Sequence, residues 1–178
     1  MKSAPARSGF EPVRAFKPPH RDGTALKCVK LFLAGSIDQG AARDWQADLT
    51  ARLADLDVAV YNPRREAWDA SWDQSIDNPE FVEQVRWELD HLDQADIIAL
   101  VFDENGKAPI SLLELGLHAP SGKIVCFCPN RFWRAGNVQV VCDRYGIPLF
   151  EDDFDTFVGM VRKRIKDRID ALAWGECA

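Results

Sequence analysis

The sequence lacks features that would place it in several large classes of protein. It has 178 residues, no run of eighteen apolar residues, and 28 Asp and Glu against 22 Lys and Arg, a formal net charge of −6. Without a long apolar run, no membrane-spanning helix is expected. The acidic balance argues against binding of a nucleic-acid polymer through a basic face, and no basic amphipathic segment indicates a membrane surface.

Histidine and cysteine are also scarce. Three histidines, placed far apart, suggest no Ser/His/Asp or Cys/His catalytic arrangement, and five cysteines are too few and too scattered for a disulfide framework. Cys126 and Cys128 alternate in an apolar run without the second Cys or His pair that zinc needs. We therefore expect buried, reduced thiols and no metal. The first sixteen residues contain no continuous apolar stretch and so predict no signal peptide, which favours a cytoplasmic location.

What remains is the pattern of one folded domain behind an irregular leading segment. Apolar residues make up 47% of the chain, with six tryptophans. Residues 1–26 contain four prolines and no periodicity, which predicts an extended or mobile arm, whereas residues 27–178 form the domain.

Within the domain, apolar runs alternate with segments of helical periodicity. Strands are predicted at 29–35, 58–61, 96–102, 123–128 and 147–150, with helices at 41–56, 79–94, 110–119, 138–145 and 154–174. Alternating strands and helices, with strands that are apolar throughout, indicate an α/β fold with a five-stranded parallel sheet covered on both faces. Ligands of such folds bind beyond the carboxyl ends of the strands.

Two of the predicted helices contain candidate catalytic carboxylates. Glu114 stands among leucines in a short helix, with Ser111 and His118 on the same face. A carboxylate among apolar neighbours is paired or used, although a solvated helix residue is the simpler alternative. The helix dipole is expected to help keep Glu114 ionised. Leucines are expected to bury this helix: Leu112, Leu113, Leu115 and Leu117.

The preceding helix supplies a second acid. Glu88 and Gln84 fall at the edge of its predicted apolar stripe, whereas His91 falls on the polar side. We expect four residues to form that stripe: Phe81, Val85, Leu89 and Leu92.

Loops at the carboxyl ends of the strands offer binding groups. Gly35 and Ser36 follow the first strand, and their turn suits a phosphate or a sugar as well as it suits a plain strand-to-helix connection. The loop after the second strand has arginines that can bind a phosphate or carboxylate and tryptophans that can stack on a heterocycle. Surface ion pairs and core packing are the alternatives. The residues are Asn62, Arg64, Arg65, Trp68 and Trp72.

These motifs, in this order, resemble the nucleoside 2-deoxyribosyltransferase-like family. The resemblance runs from about residue 30 to residue 146, and the Glu-Leu-Gly element at 114–116 is its best anchor. It also includes Leu-Ala-Gly-Ser-Ile at 33–37, Asn-Pro-Arg-Arg at 62–65 and Gly-Asn-Val at 136–138. The position six residues before Glu114, where members often carry Asp or Ser, is Ala108.

The resemblance implies a flavodoxin-like three-layer sandwich and a role for several residues. Glu114 would be the nucleophile on the anomeric carbon of a deoxyribose, and Glu88 matches the carboxylate that contacts the base. Asn137 matches an amide that often completes the pocket of a neighbouring subunit, which implies a homodimer or a dimer of dimers.

The residues themselves suit N-glycosidic bond cleavage, since one carboxylate can trap the sugar and a second can protonate the leaving base. We therefore expect an enzyme that acts on a small nucleoside or nucleotide without a cofactor. Two alternatives stay open. One is hydrolysis of a nucleoside 5′-monophosphate held by Ser36, Arg64, Arg65 and Ser111, and the other is a non-catalytic nucleotide-binding module, suggested by Ala108.

Overall fold

The computed structural model describes residues 14–20, 27–37, 44–65 and 71–175. Its strands are β1 (Arg14–Phe16), β2 (Val29–Gly35), β3 (Val58–Tyr61), β4 (Ile97–Val101), β5 (Ile124–Phe127) and β6 (Leu149–Phe150). Its α-helices are α1 (Trp45–Arg52), α2 (Pro79–Gln94), α3 (Pro109–His118), α4 (Ala135–Tyr145) and α5 (Phe154–Gly175).

The strands form one parallel sheet in the order β1-β3-β2-β4-β5-β6. Without β1, the five remaining strands follow the flavodoxin-like order 2-1-3-4-5. The sheet has six strands rather than the five predicted, because residues 14–16 of the leading segment pair with the free edge of β3. The α/β class and the parallel sheet are confirmed.

The helices cover both faces of the sheet. Phe32 and Ala34 of β2 point into a core with Trp87 of α2, Leu115 of α3 and Val138 of α4. The alternate residues of the same strand, Leu31 and Leu33, point into a second core with α1 and α5. This alternation gives the three layers of helix, sheet and helix.

The helix α2 begins where its sequence predicts. The Asn78 side chain accepts hydrogen bonds from the backbone N–H groups of Glu80 and Phe81, and Pro79 takes the first helical position, where no N–H is needed. The helix ends at Gln94, so its full predicted range is confirmed.

The buried faces of α2 and α3 differ from the prediction. Leu89, Leu113 and Leu117 are exposed, whereas the polar residues Gln84 and His91 are buried. His91 stacks on the Trp87 ring with centroids 4.0 Å apart, so the aromatic layer under α2 includes it. The apolar periodicity pointed to the wrong stripe because polar side chains occupy part of the face that packs inward.

Candidate active site

The strand order reverses between β2 and β4, and the carboxyl edge of the sheet at this point is where folds of this topology form their ligand crevice. Gly35 ends β2 with a φ of 148°, and a Cβ there would lie 2.3 Å from the Val101 carbonyl oxygen, so only glycine fits. The Ser36 N–H donates to that same oxygen over 3.0 Å. The Ser36 Oγ accepts from the backbone N–H of Asp103 over 3.1 Å. Both predicted residues therefore hold the β2 and β4 loops together at the crevice.

The loop after β3 is bent by its own asparagine. The Asn62 Oδ1 accepts from the backbone N–H of Arg64 over 2.9 Å, and the Asn62 N–H donates to the Phe16 carbonyl in β1 over 2.9 Å. Asn62 is buried and shapes this loop. The bend directs the Pro63 carbonyl to α2, where the Gln84 Nε2 donates to it over 3.0 Å.

Among the described residues, the ionic partners of the two arginines of this loop are distant. The Arg64 Nε lies 3.9 Å from an Asp44 carboxylate oxygen, and the Arg65 Nη1 lies 3.6 Å from one of Glu83. The Nη1 atoms of both arginines are buried without a hydrogen-bond partner. The Arg65 guanidinium lies over the Trp72 ring, 5.1 Å from its centroid. Trp68, the other predicted stacking residue, falls outside the described residues.

The helix α3 turns its polar face inward. Ser111, Glu114 and His118 are only 4%, 8% and 9% exposed, although leucines surround them in the sequence. Glu114 is thus a buried carboxyl group and not a solvated one. The helix follows Ala108, whose φ of 43° is left-handed, a conformation that residues with a side chain seldom adopt and that often marks functional loops.

The helix α2 brings a second carboxyl group beside the first. Glu88 is half-buried, and its Oε1 accepts from the Gln84 Nε2 over 2.8 Å. The sequence placed Gln84 beside Glu88 at the edge of a stripe but gave it no role. The signal for one was the four-residue spacing from Glu88 on a helix.

Burial raises the pKa values of both carboxyl groups into the neutral range. Burial, with a smaller contribution from the nearby Glu88, raises the pKa of Glu114 from 4.5 to about 8. Burial also raises the pKa of Glu88 from 4.5 to about 7, against the hydrogen bond from Gln84, which lowers it. The expected ionising effect of the helix dipole does not prevail, because Glu114 lies beyond the first turn of α3, where that effect is weak.

Asn137, the predicted amide, belongs to α4 and not to the helices of the two carboxyl groups. It is exposed in the first turn of α4, next to the buried Val138. Within the described residues, no cluster of three or more His, Cys, Asp or Glu side chains could hold a metal ion. In the same part of the chain, no helix combines the length and apolar character needed to cross a bilayer.

Comparison with known proteins assigns the chain to a family. The family model described as "Nucleoside 2-deoxyribosyltransferase like" matches residues 28–132, more than half of the sequence, and the chain belongs to this family. A comparison with curated proteins gives no match. Among solved structures, a conserved protein from Enterococcus faecalis V583 is similar with a TM-score of 0.55 and 15% identity, over 79% of this chain and 99% of that one. At this identity the likeness shows the fold alone.

The raised pKa values predict that stability depends on pH. An unfolded glutamate ionises near pH 4.5, whereas Glu88 and Glu114 in the folded chain hold their protons to about pH 7 and about pH 8. Between these values the folded chain binds more protons than the unfolded chain, so the free energy of unfolding falls as pH rises. We expect Glu114→Gln to raise that free energy by about 2 kcal/mol at pH 8 and by little at pH 4.5.

Urea denaturation of both proteins across this pH range measures the effect. Glu104→Gln, at an exposed loop position, is the control and should leave the pH dependence as it is. If the difference between Glu114→Gln and the original protein is the same at every pH, Glu114 does not titrate as described.

Proposed function

We propose that the protein cleaves the N-glycosidic bond of a deoxynucleoside and passes the sugar to another base or to water. The pairing of two carboxyl groups, the buried Glu114 on α3 and the half-buried Glu88 on α2, carries this proposal. Cleavage of the bond develops positive charge on the sugar and negative charge on the base. A carboxylate can stabilise the first charge, and a protonated carboxyl group can neutralise the second.

Each carboxyl group has a separate task. The Glu114 carboxylate attacks C1′ and forms an ester to the sugar, while the electrons of the broken C1′–N bond go to the base. Glu88 donates its proton to the base as it leaves. In the second step a new base or water attacks C1′, Glu114 departs as a carboxylate, and Glu88 takes up the proton that the attacking group loses. Stacking of the base remains the proposed role of Trp68 or Trp72.

The two tasks need one proton on the pair. Below about pH 7 both groups are protonated and Glu114 cannot attack, whereas above about pH 8 both are ionised and no acid remains for the base. The active form is therefore the one with a single proton on the pair, and its pH range belongs to the pair rather than to either residue. Because the pKa of Glu114 is the higher of the two, that proton lies mainly on Glu114 in the free protein and must pass to Glu88 before Glu114 attacks.

We predict a narrow, bell-shaped pH profile of kcat/KM with limbs near pH 7 and pH 8. Glu114→Gln and Glu88→Gln should each lower kcat/KM by about 100-fold to 10,000-fold, and Glu88→Gln should also lose the alkaline limb, since no acid is left to ionise. Release of free base from a panel of deoxynucleosides and ribonucleosides measures this.

Glu104→Gln controls for a general effect of removing a surface charge. If Glu114→Gln releases base as fast as the original protein, Glu114 is not the nucleophile. Binding of nucleosides by calorimetry without any base release would instead favour the non-catalytic module that Ala108 suggests.

The loop after β3 favours a second candidate substrate. The buried Nη1 atoms of Arg64 and Arg65, which have no hydrogen-bond partner, could bind the phosphate of a nucleoside 5′-monophosphate. Ser111, which is buried on α3, and the hydroxyl of Ser36 complete this proposed set. The substrate panel therefore includes monophosphates. A preference for them that disappears in Arg64→Ala and Arg65→Ala would make hydrolysis of the monophosphate the function.

We also propose that the chain assembles as a homodimer or a dimer of dimers. Ile110, Leu113 and Leu117 form one stripe along α3 and are 59%, 58% and 56% exposed. On α4, which packs on the same side of the sheet, Val140 is exposed as well. An apolar surface of this kind beside a pocket fits a second copy of the chain, which would bring its Asn137 to the Glu114 pocket.

A charge in the stripe should break the dimer. We expect light scattering to give a multiple of 20.0 kDa for the original protein and the monomer mass for Leu117→Glu, because a dimer would bury the new carboxylate. Leu172→Glu, at an equally exposed leucine of α5, should leave the mass unchanged. An original protein that is a 20.0 kDa species and fully active at every dilution would end the idea of a shared site.

A further inference from the structure

Gln84 is a buried polar residue whose amide nitrogen forms hydrogen bonds, whereas its amide oxygen has none among the described residues. It is only 3% exposed, and its Nε2 donates to both the Pro63 carbonyl, over 3.0 Å, and the Glu88 Oε1, over 2.8 Å. In the part of the chain that the structure describes, its buried Oε1 has no hydrogen-bond partner. A buried acceptor without a donor lowers stability, so such an atom often marks a position that a ligand satisfies.

The orientation of this amide is fixed by the backbone. A carbonyl oxygen can only accept, so the amide atom that faces Pro63 must be the nitrogen. The Pro63 carbonyl is itself held in place, since the Asn62 Oδ1 accepts from the Arg64 N–H and the Asn62 N–H is bonded to β1. Gln84 therefore cannot exchange its oxygen and nitrogen without losing its hydrogen bond to the Pro63 carbonyl.

The fixed amide also decides which oxygen of Glu88 carries the proton. Because Oε1 accepts from Gln84, it keeps the character of a carbonyl or carboxylate oxygen, and the acidic proton resides on Oε2. The head groups of the two side chains are in direct contact through this 2.8 Å hydrogen bond. Among the described residues, Glu114 from α3 lies close enough to interact electrostatically with Glu88.

We propose that Glu88 and Gln84 together recognise a base that has an acceptor ring nitrogen beside an exocyclic amino group. Glu88 donates from Oε2 to the ring nitrogen, and Gln84 accepts at Oε1 from the amino group. Adenine, at N7 and its 6-amino group, and cytosine, at N3 and its 4-amino group, present this pattern. Hypoxanthine and guanine present a carbonyl oxygen beside N7, which would face the Gln84 oxygen without a proton between them.

This inference rests on the proposed function for the identity of the ligand. Binding of free bases tests it even if the protein turns over no nucleoside. By calorimetry near pH 7 we expect adenine to bind about 10-fold to 100-fold more tightly than hypoxanthine, from the unmatched pair of oxygens. Gln84→Met keeps the size of the side chain and removes the amide, so the ratio should fall to within about threefold. Gln94→Met, at an exposed position of the same helix, should keep the original ratio.

Kinetics separate this inference from the proposed function. The ratio of kcat/KM for 2′-deoxyadenosine over 2′-deoxyinosine should follow the binding ratio, and the pH profile of Gln84→Met should move to higher pH because the hydrogen bond that lowers the pKa of Glu88 is lost. If Gln84 had a purely structural role, Gln84→Met would lower kcat/KM equally for both substrates. If the protein prefers adenine to hypoxanthine but releases no base from nucleosides, base recognition by Gln84 and Glu88 is supported and only the proposed catalysis is overturned.

Equal binding of adenine and hypoxanthine by the original protein, or a preference that survives in Gln84→Met, overturns the inference. The first of these outcomes needs no variant, so a folding defect in Gln84→Met cannot hide it.

Discussion

Two carboxyl groups interact across adjacent helices, one buried and one half-buried, and the polar contacts around them can be understood from that constraint. The desolvation of Glu114 and the charge of Glu88 beside it disfavour two negative charges at neutral pH. One proton on the pair relieves the repulsion, and one proton is also what acid-assisted displacement at a sugar carbon requires. The same burial that costs stability at alkaline pH thus prepares the pair for chemistry.

The fold supplies the rigidity that such a pair needs. Gly35 lets β2 pass close to the Val101 carbonyl, and Ser36 ties the two neighbouring loops at the reversal of strand order. On the other side of the crevice, a chain of hydrogen bonds leads from β1 through Asn62 and Pro63 to Gln84 and then to Glu88. The edge strand β1 is therefore linked to the acid of the site through backbone and amide groups.

The sequence predicted most of the fold because the central strands are apolar throughout and Asn78, Pro79 and the glycines mark helix and strand ends. It did not predict β1, since residues 14–16 have no pattern of their own and gain their pairing only from the edge of β3. It also misjudged which faces of α2 and α3 are buried. Leucine is usually buried, but Leu113 and Leu117 are exposed. Glutamate and glutamine are usually exposed, but Glu114 and Gln84 are buried. The candidate carboxylates could be found from their apolar neighbours, but the contacts of Gln84 depend on a loop conformation that no local pattern encodes.

The central claim is a covalent bond between Glu114 and the sugar, and its most direct test is the mass of the protein during turnover. After rapid acid quenching of the protein with 2′-deoxyadenosine, the account predicts an adduct with the mass of one deoxyribosyl group, located by peptide mapping on Glu114 and absent in Glu114→Gln. Turnover with no adduct, or with the adduct on another residue, would contradict it.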